Sequence, residues 1–251
     1  MAKTLLIRGM LVGIVAGFVA FLVGRLFGES ALGQAIAVEG THAGMAGMAG
    51  MAEEPEQVSR TVQSTIGLLT ATTVFGAALG GIFALVFAFA QGRVLRLGIR
   101  ALSAVLALSG FVVFYAVPFL KYPPNPPAVG NPDTIGRRTA LYFTLLAVSV
   151  LIAVLAVIVA RRLEPALGIW NASIAGVLLF VVLIGLAEWA MPVSQEVGSD
   201  FPAVTLYDFR IASFGIQLSL WTTIGLLFGA LTERSMVGRP RVTPSAEVPV
   251  P

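Results

Sequence analysis

The sequence predicts an all-α, polytopic transmembrane bundle of six helices, and three observations lead there. Apolar residues make up 57% of the 251-residue chain and charged residues only 12%, about half the ~25% charge of soluble domains. Mean hydropathy is +0.90. Long uncharged stretches alternate with short clusters that hold nearly all the Arg, Lys, Asp and Glu. Together these exclude a soluble enzyme, a coiled coil, a disordered chain and a nucleic-acid binder. The basic pI of about 9.7 reflects residues that fall where membrane topology requires them. With no cysteine, disulfides, thiolate nucleophiles, Fe–S clusters and cysteine zinc sites are excluded as well.

A bilayer core of ~30 Å needs ~20 apolar residues in a helix. Six stretches qualify, at about 5–27, 66–90, 101–120, 139–160, 170–190 and 211–232, within a transmembrane domain 1–236. A β-barrel would instead show ~10-residue alternating segments. The first span could be read as a cleavable signal peptide ending near Ala35-Ile36-Ala37, but Arg25 and Glu29 interrupt it, so it is kept as an anchor. Residues 28–65 are expected as an extracytoplasmic Gly/Ala/Met-rich acidic loop, and 237–251 as a disordered cytoplasmic tail.

Orientation follows from the excess of Lys and Arg in cytoplasmic loops. With the N-terminus inside, ten of sixteen basic residues face the cytoplasm against three acids, and the other side holds six basic and ten acidic residues. Six spans return the C-terminus to the same side. The location is thus the inner or plasma membrane, multi-pass, with both termini cytoplasmic.

An internal repeat relates the third and fifth spans. Tyr115-Ala-Val-Pro118 matches Trp189-Ala-Met-Pro192, Pro127-Ala-Val129 matches Pro202-Ala-Val204, and Arg138 and Arg210 open the following helices. Two or three hairpin units result, with Arg60 in the corresponding place of a degenerate first copy. Such repeats suit transporters, though not only transporters. Gly9, Gly13 and Gly17, and Gly76 and Gly80, fall at four-residue spacing, which lets helices approach closely.

Candidate functional residues are few. Glu188 sits at the outer end of the fifth span, either as an interfacial anchor or as a cation-attracting group. His42, Met45, Met48 and Met51 form a soft metal-ligand set suited to Cu(I); the alternative is a low-complexity spacer. Six of fourteen prolines lie within 118–132, making a stiff segment. Pro118, Pro123, Pro124, Pro126 and Pro127, with Arg138, Pro192, Pro202 and Arg210, are the expected outer vestibule. No Walker A, HExxH or GxSxG pattern is present, and no enzyme is expected.

The run Gly110-Phe111 through Val117-Pro118-Phe119-Leu120-Lys121-Tyr122-Pro123-Pro124-Asn125-Pro126-Pro127, with Asp133-Thr134-Ile135 and Arg137-Arg138-Thr139, resembles the predicted cobalt transporter CbtA family of bacterial integral membrane proteins. Glu188-Trp189-Ala190-Met191-Pro192 and Phe201-Pro202 fit the same pattern. The resemblance implies a membrane component of cobalt uptake linked to cobalamin synthesis. Co²⁺ is implied as transported substrate, with no permanently bound cofactor. The implied partner is a second, small single-span subunit of the same transporter, with a His-rich end. The lipid bilayer surrounds the chain, and homo-oligomerisation is open. The alternatives are a non-transporting membrane scaffold that assembles a partner, and a Cu(I)-handling protein using the Met-rich loop.

Overall fold

The computed structural model describes residues 2–45, 58–93, 97–126, 129–130, 132–194, 197–198 and 201–237. Helix α1 (Ala2–Val23) passes through a π turn (Gly24–Gly28) into α2 (Glu29–Met45). A short α3 (Arg60–Val62) and a π turn (Gln63–Gly67) lead into α4 (Leu68–Ala90). The third span is α5 (Ile99–Phe111), a π turn (Val112–Ala116) and α6 (Val117–Lys121). Helices α7 (Ile135–Ala190) and α8 (Ala203–Val237) complete the chain. Among the described residues, five helices are long and apolar enough to cross a membrane, and the chain is a multi-pass membrane protein.

The fourth of these helices resolves the difference from six. At 56 residues, a straight α7 would run ~84 Å, nearly three times the hydrocarbon core. It is instead broken at Gly168, whose φ of 75° and ψ of 162° leave the helical region. The arms fold back on each other: a Cβ built on Gly176 would lie 2.9 Å from Ala160 Cβ and 3.1 Å from the Ala156 carbonyl oxygen. The expected spans 139–160 and 170–190 are therefore the two arms of one hairpin.

Small residues set the tightest contact. A Cβ on Gly9 would meet the Gly80 carbonyl oxygen, one on Gly13 the Gly76 oxygen, and one on Gly17 the Thr72 oxygen, each at 2.3 Å or less. Antiparallel α1 and α4 thus touch backbone to backbone over about two turns, as the glycine spacing predicts. On their flank, α8 packs against α5 through a second small-residue seam. There Ser103 Oγ donates to the Gly225 carbonyl oxygen at 2.6 Å, and Phe228 meets Phe83 and Phe87 edge-on. The resulting core joins α1, α4, α5 and α8. Among the described residues, the α7 hairpin lies beside it and shares a smaller cluster, Val117, Leu145 and Ile184, with the second half of the third span.

Charges expected on opposite sides of the membrane collect at opposite ends of the bundle. At one end Arg100 pairs with Glu233, and Arg161 donates to the Arg93 carbonyl oxygen. At the other, Arg60 pairs with Glu29 and Arg210 reaches Asn125 in the proline-rich segment.

One expectation needs correction. Residues 29–45, expected as the first half of an outer loop spanning 28–65, are helical. Span Ala2–Val38 alone is 37 residues, ~56 Å long, so it projects well beyond a bilayer core. The projecting part is held by α8: Ala31, Ala35 and Thr205 are buried, and Thr205 Oγ1 donates to Gln34 Oε1 at 3.0 Å. Alanine combines the best helix propensity with a small profile, so this stretch has both a reason to be helical and a surface to lie on.

Candidate functional site

The proline-rich run lies along the wall of a cavity. Pro118 follows the π turn directly, inside the continuous helix Ile99–Lys121, where its missing N–H removes one bond of the ladder. The chain then helps enclose a cavity of about 1030 Å³ between the end of α6, the start of α7 and the start of α8. Its walls come from the third span (Tyr115, Phe119, Lys121), the segment Tyr122–Pro126, the first turns of α7 (Arg138, Tyr142) and the start of α8 (Arg210).

Hydrogen bonds fix this rim. Arg210 donates from Nη2 to Asn125 Oδ1 at 2.8 Å and from Nε to the Pro124 carbonyl oxygen at 3.4 Å, so α8 holds the proline segment in place. Tyr122 Oη donates to the Pro192 carbonyl oxygen at 2.7 Å, tying that segment to the loop after α7. Partial burial lifts the Tyr122 phenol above its usual pKa, opposed by the nearby Arg137 charge. The phenol therefore stays a donor at neutral pH. Tyr115 Oη, on the cavity wall, is buried with no hydrogen-bond partner among the described residues.

Of the expected vestibule residues, Pro123, Pro124, Pro126, Arg138 and Arg210 lie on the cavity wall. Pro118 is fully buried beneath it, Pro192 contributes the acceptor for Tyr122, and Pro202 opens α8 through a carbonyl bonded to Leu206 N–H. Pro127 lies outside the described residues. Two of the arginines at repeat-equivalent positions differ in what they hold. Arg210 ties down the segment Tyr122–Pro126 through Asn125, and Arg60 pairs with Glu29 of α2 at 2.8 Å.

That Arg60–Glu29 pair is only partly exposed, so its coupling should exceed that of a free surface pair. A double-mutant cycle with Arg60→Gln and Glu29→Gln is expected to give about 0.5–1 kcal/mol, at or above the median for exposed pairs. Thermal unfolding in detergent at two salt concentrations reads it, and zero coupling at low salt would contradict the pairing.

Glu188 is half-buried near the end of α7, on the helix face that also carries Ile184 and Met191, residues of the cluster with Val117 and Tyr122. Its Oε1 is buried without a hydrogen-bond partner among the described residues, and the Lys121 charge acts on it. It stands beside the cavity and does not line it. His42 and Met45 fall on α2, but the placement of their side chains, and Met48 and Met51 altogether, lie outside the described residues. Among the described residues, no three of His, Asp and Glu come together as a metal site would require.

Sequence reasoning did not select Tyr115, Lys121, Asn125 and Tyr142 for the site. Lys121 and Asn125 belong to the proline-rich run and could have been read from it. The tyrosines carry no such signal, because helices that are distant in the chain bring them together.

No curated protein and no solved structure matches this chain. Residues 2–233 match the family described as a probable cobalt transporter subunit (CbtA). With nearly its whole length matched, the chain belongs to the CbtA family of probable cobalt transporter subunits.

Proposed function

We propose that this protein is the membrane-embedded subunit of an inward Co²⁺ transport system serving cobalamin synthesis, with both termini in the cytoplasm. The match to a cobalt transporter subunit family over residues 2–233 carries this reading. In this orientation the vestibule faces outward, and the basic cluster Arg93, Arg100, Arg161 faces the cytoplasm, in keeping with the positive-inside bias. The partner is a small single-span protein with a His-rich end. It supplies the imidazole ligands that Co²⁺ prefers, since the whole chain has one histidine. Glu188 is the cation-attracting group beside the vestibule. The membrane potential contributes ~2.3 kcal/mol per charge per 100 mV, about twice that for a dication.

The loose attachment of the α7 hairpin favours a second reading, a non-transporting assembly factor. The hairpin shares little core with the rest of the chain, and its exposed apolar faces could be covered by a partner helix as readily as by lipid. Proteoliposomes separate the two. Transport predicts saturable Co²⁺ uptake with both subunits present, lowered at least tenfold by Glu188→Gln. Zero Co²⁺-dependent uptake with both subunits would sink the transport reading. The assembly reading predicts that deleting this chain lowers partner abundance while Glu188→Gln leaves uptake unchanged.

A further inference from the structure

Among the described residues, the vestibule lining has the wrong charge for a bare dication. Its described lining carries three cationic side chains, Lys121, Arg138 and Arg210, and no carboxylate. Glu188, on which the Lys121 charge acts, is not among the described lining residues. A cleft lined by one sign of charge concentrates ions of the opposite sign.

The cavity is also too large for an ion. Six waters at ~30 Å³ each occupy roughly 180 Å³, a small part of about 1030 Å³. That volume is at the top of the range for organic-ligand pockets. Phe119, Tyr142 and Phe143 supply apolar wall for a carbon skeleton. Tyr115 Oη is buried there without a partner among the described residues, and a buried hydroxyl normally has one. The bonds from Arg210 to Asn125 and Pro124 use two of its five N–H donors, while holding the guanidinium at the wall.

We propose that the outer vestibule binds an organic anion bearing carboxylate or phosphate groups. The ligand's charged groups meet Lys121, Arg138 and Arg210, and its body lies against the aromatic wall. The role in transport rests on the reading above: a dication would cross the vestibule as its anionic carboxylate complex, and Glu188, off the described wall, would act on the ion beyond it. The binding itself does not depend on that reading.

The test uses the purified full chain in nanodiscs of zwitterionic lipid, titrated with citrate, with the 1:1 Co²⁺–citrate complex and with CoCl₂ alone. Saturable citrate and Co²⁺–citrate binding is expected, weakened at least tenfold by Lys121→Gln and by Arg210→Gln and falling with added salt. Arg210→Gln could loosen the proline segment, so Lys121→Gln, which breaks no hydrogen bond seen here, is the deciding variant. If anionic lipid in the nanodisc competes with citrate, and is itself bound less well by Lys121→Gln, a lipid headgroup is the natural source of the anion. The proposal is overturned if neither citrate nor anionic lipid binds, if Lys121→Gln leaves both affinities unchanged, or if CoCl₂ alone binds the vestibule and Lys121→Gln strengthens it. Absence of uptake in proteoliposomes with citrate binding intact would count against transport and leave this site standing.

Discussion

Replacing Gly13 with valine is expected to disrupt the bundle, with a loss of roughly 3 kcal/mol, at the top of the usual range for overpacking. A Cβ at Gly13 would lie 2.0 Å from the Gly76 carbonyl oxygen and 2.7 Å from its carbonyl carbon, and one at Gly76 would lie 2.3 Å from the Gly13 oxygen. These neighbours are backbone atoms in the middle of two long helices, so no rotamer change can relieve the clash. The helices must separate instead. Separation would take Gly9 from Gly80 and Gly17 from Thr72 as well, because the three contacts form one straight seam. Association of helices in lipid depends on such close packing, since burying apolar surface gains little there. Gly185→Ala is the control: it is helical, and nothing lies within 4 Å of a Cβ built on it. Thermal unfolding monitored by size-exclusion profile should show Gly13→Val strongly destabilised and Gly185→Ala unchanged or slightly stabilised. Equal profiles for the two would mean that α1 and α4 do not pack as described.

That seam shows what kind of information the sequence holds openly. Glycines at four-residue spacing, inside spans already marked by length and hydropathy, name the packing faces directly. The pairing of Gly13 with Gly76 follows once the helices are antiparallel. The α2 extension was less legible. Ala31 and Ala35 lie on one helix face with Gln34, yet Gly/Ala/Met composition reads equally as a spacer, and only the matching surface on α8 decides for a helix. The vestibule divides in the same manner. Its proline segment and two arginines are local signals, repeated in the chain, and they reach the cavity wall. Tyr115 and Tyr142 are ordinary aromatic residues of two different helices, and their convergence is a property of the bundle. The basic sign of the wall was obscured for a related reason. Counting charges by side of the membrane gives an acidic exterior, with ten acids to six bases, but the described lining of the cavity draws on Lys121, Arg138 and Arg210 and on no described acid.

The second large effect is expected at Gly168, far along α7 from the site it influences. Its φ of 75° with ψ of 162° belongs to a region populated almost only by glycine, and other residues are strained there by about 1–3 kcal/mol. A β-branched side chain is the worst case. Pro165, three residues earlier, already weakens the helix there, and Gly168 supplies the reversal that lets the two arms fit a bilayer core of ~30 Å. Arg138 and Tyr142 stand on the first arm of the hairpin, and Glu188 on the second. Gly168→Val should therefore weaken anion binding in the vestibule and lower Co²⁺ uptake together, although the turn lies at the opposite end of the bundle. Gly168→Asn, which tolerates positive φ better, should be the milder change. A direct readout of the hairpin comes from Ala160→Cys with Gly176→Cys. Those positions face each other across the arms, and the chain has no native cysteine to interfere. Oxidation should cross-link the pair in the parent background and fail to do so with Gly168→Val. Undiminished cross-linking and binding in that variant would show that the arms are held together by their own packing, with Gly168 only accommodating the turn.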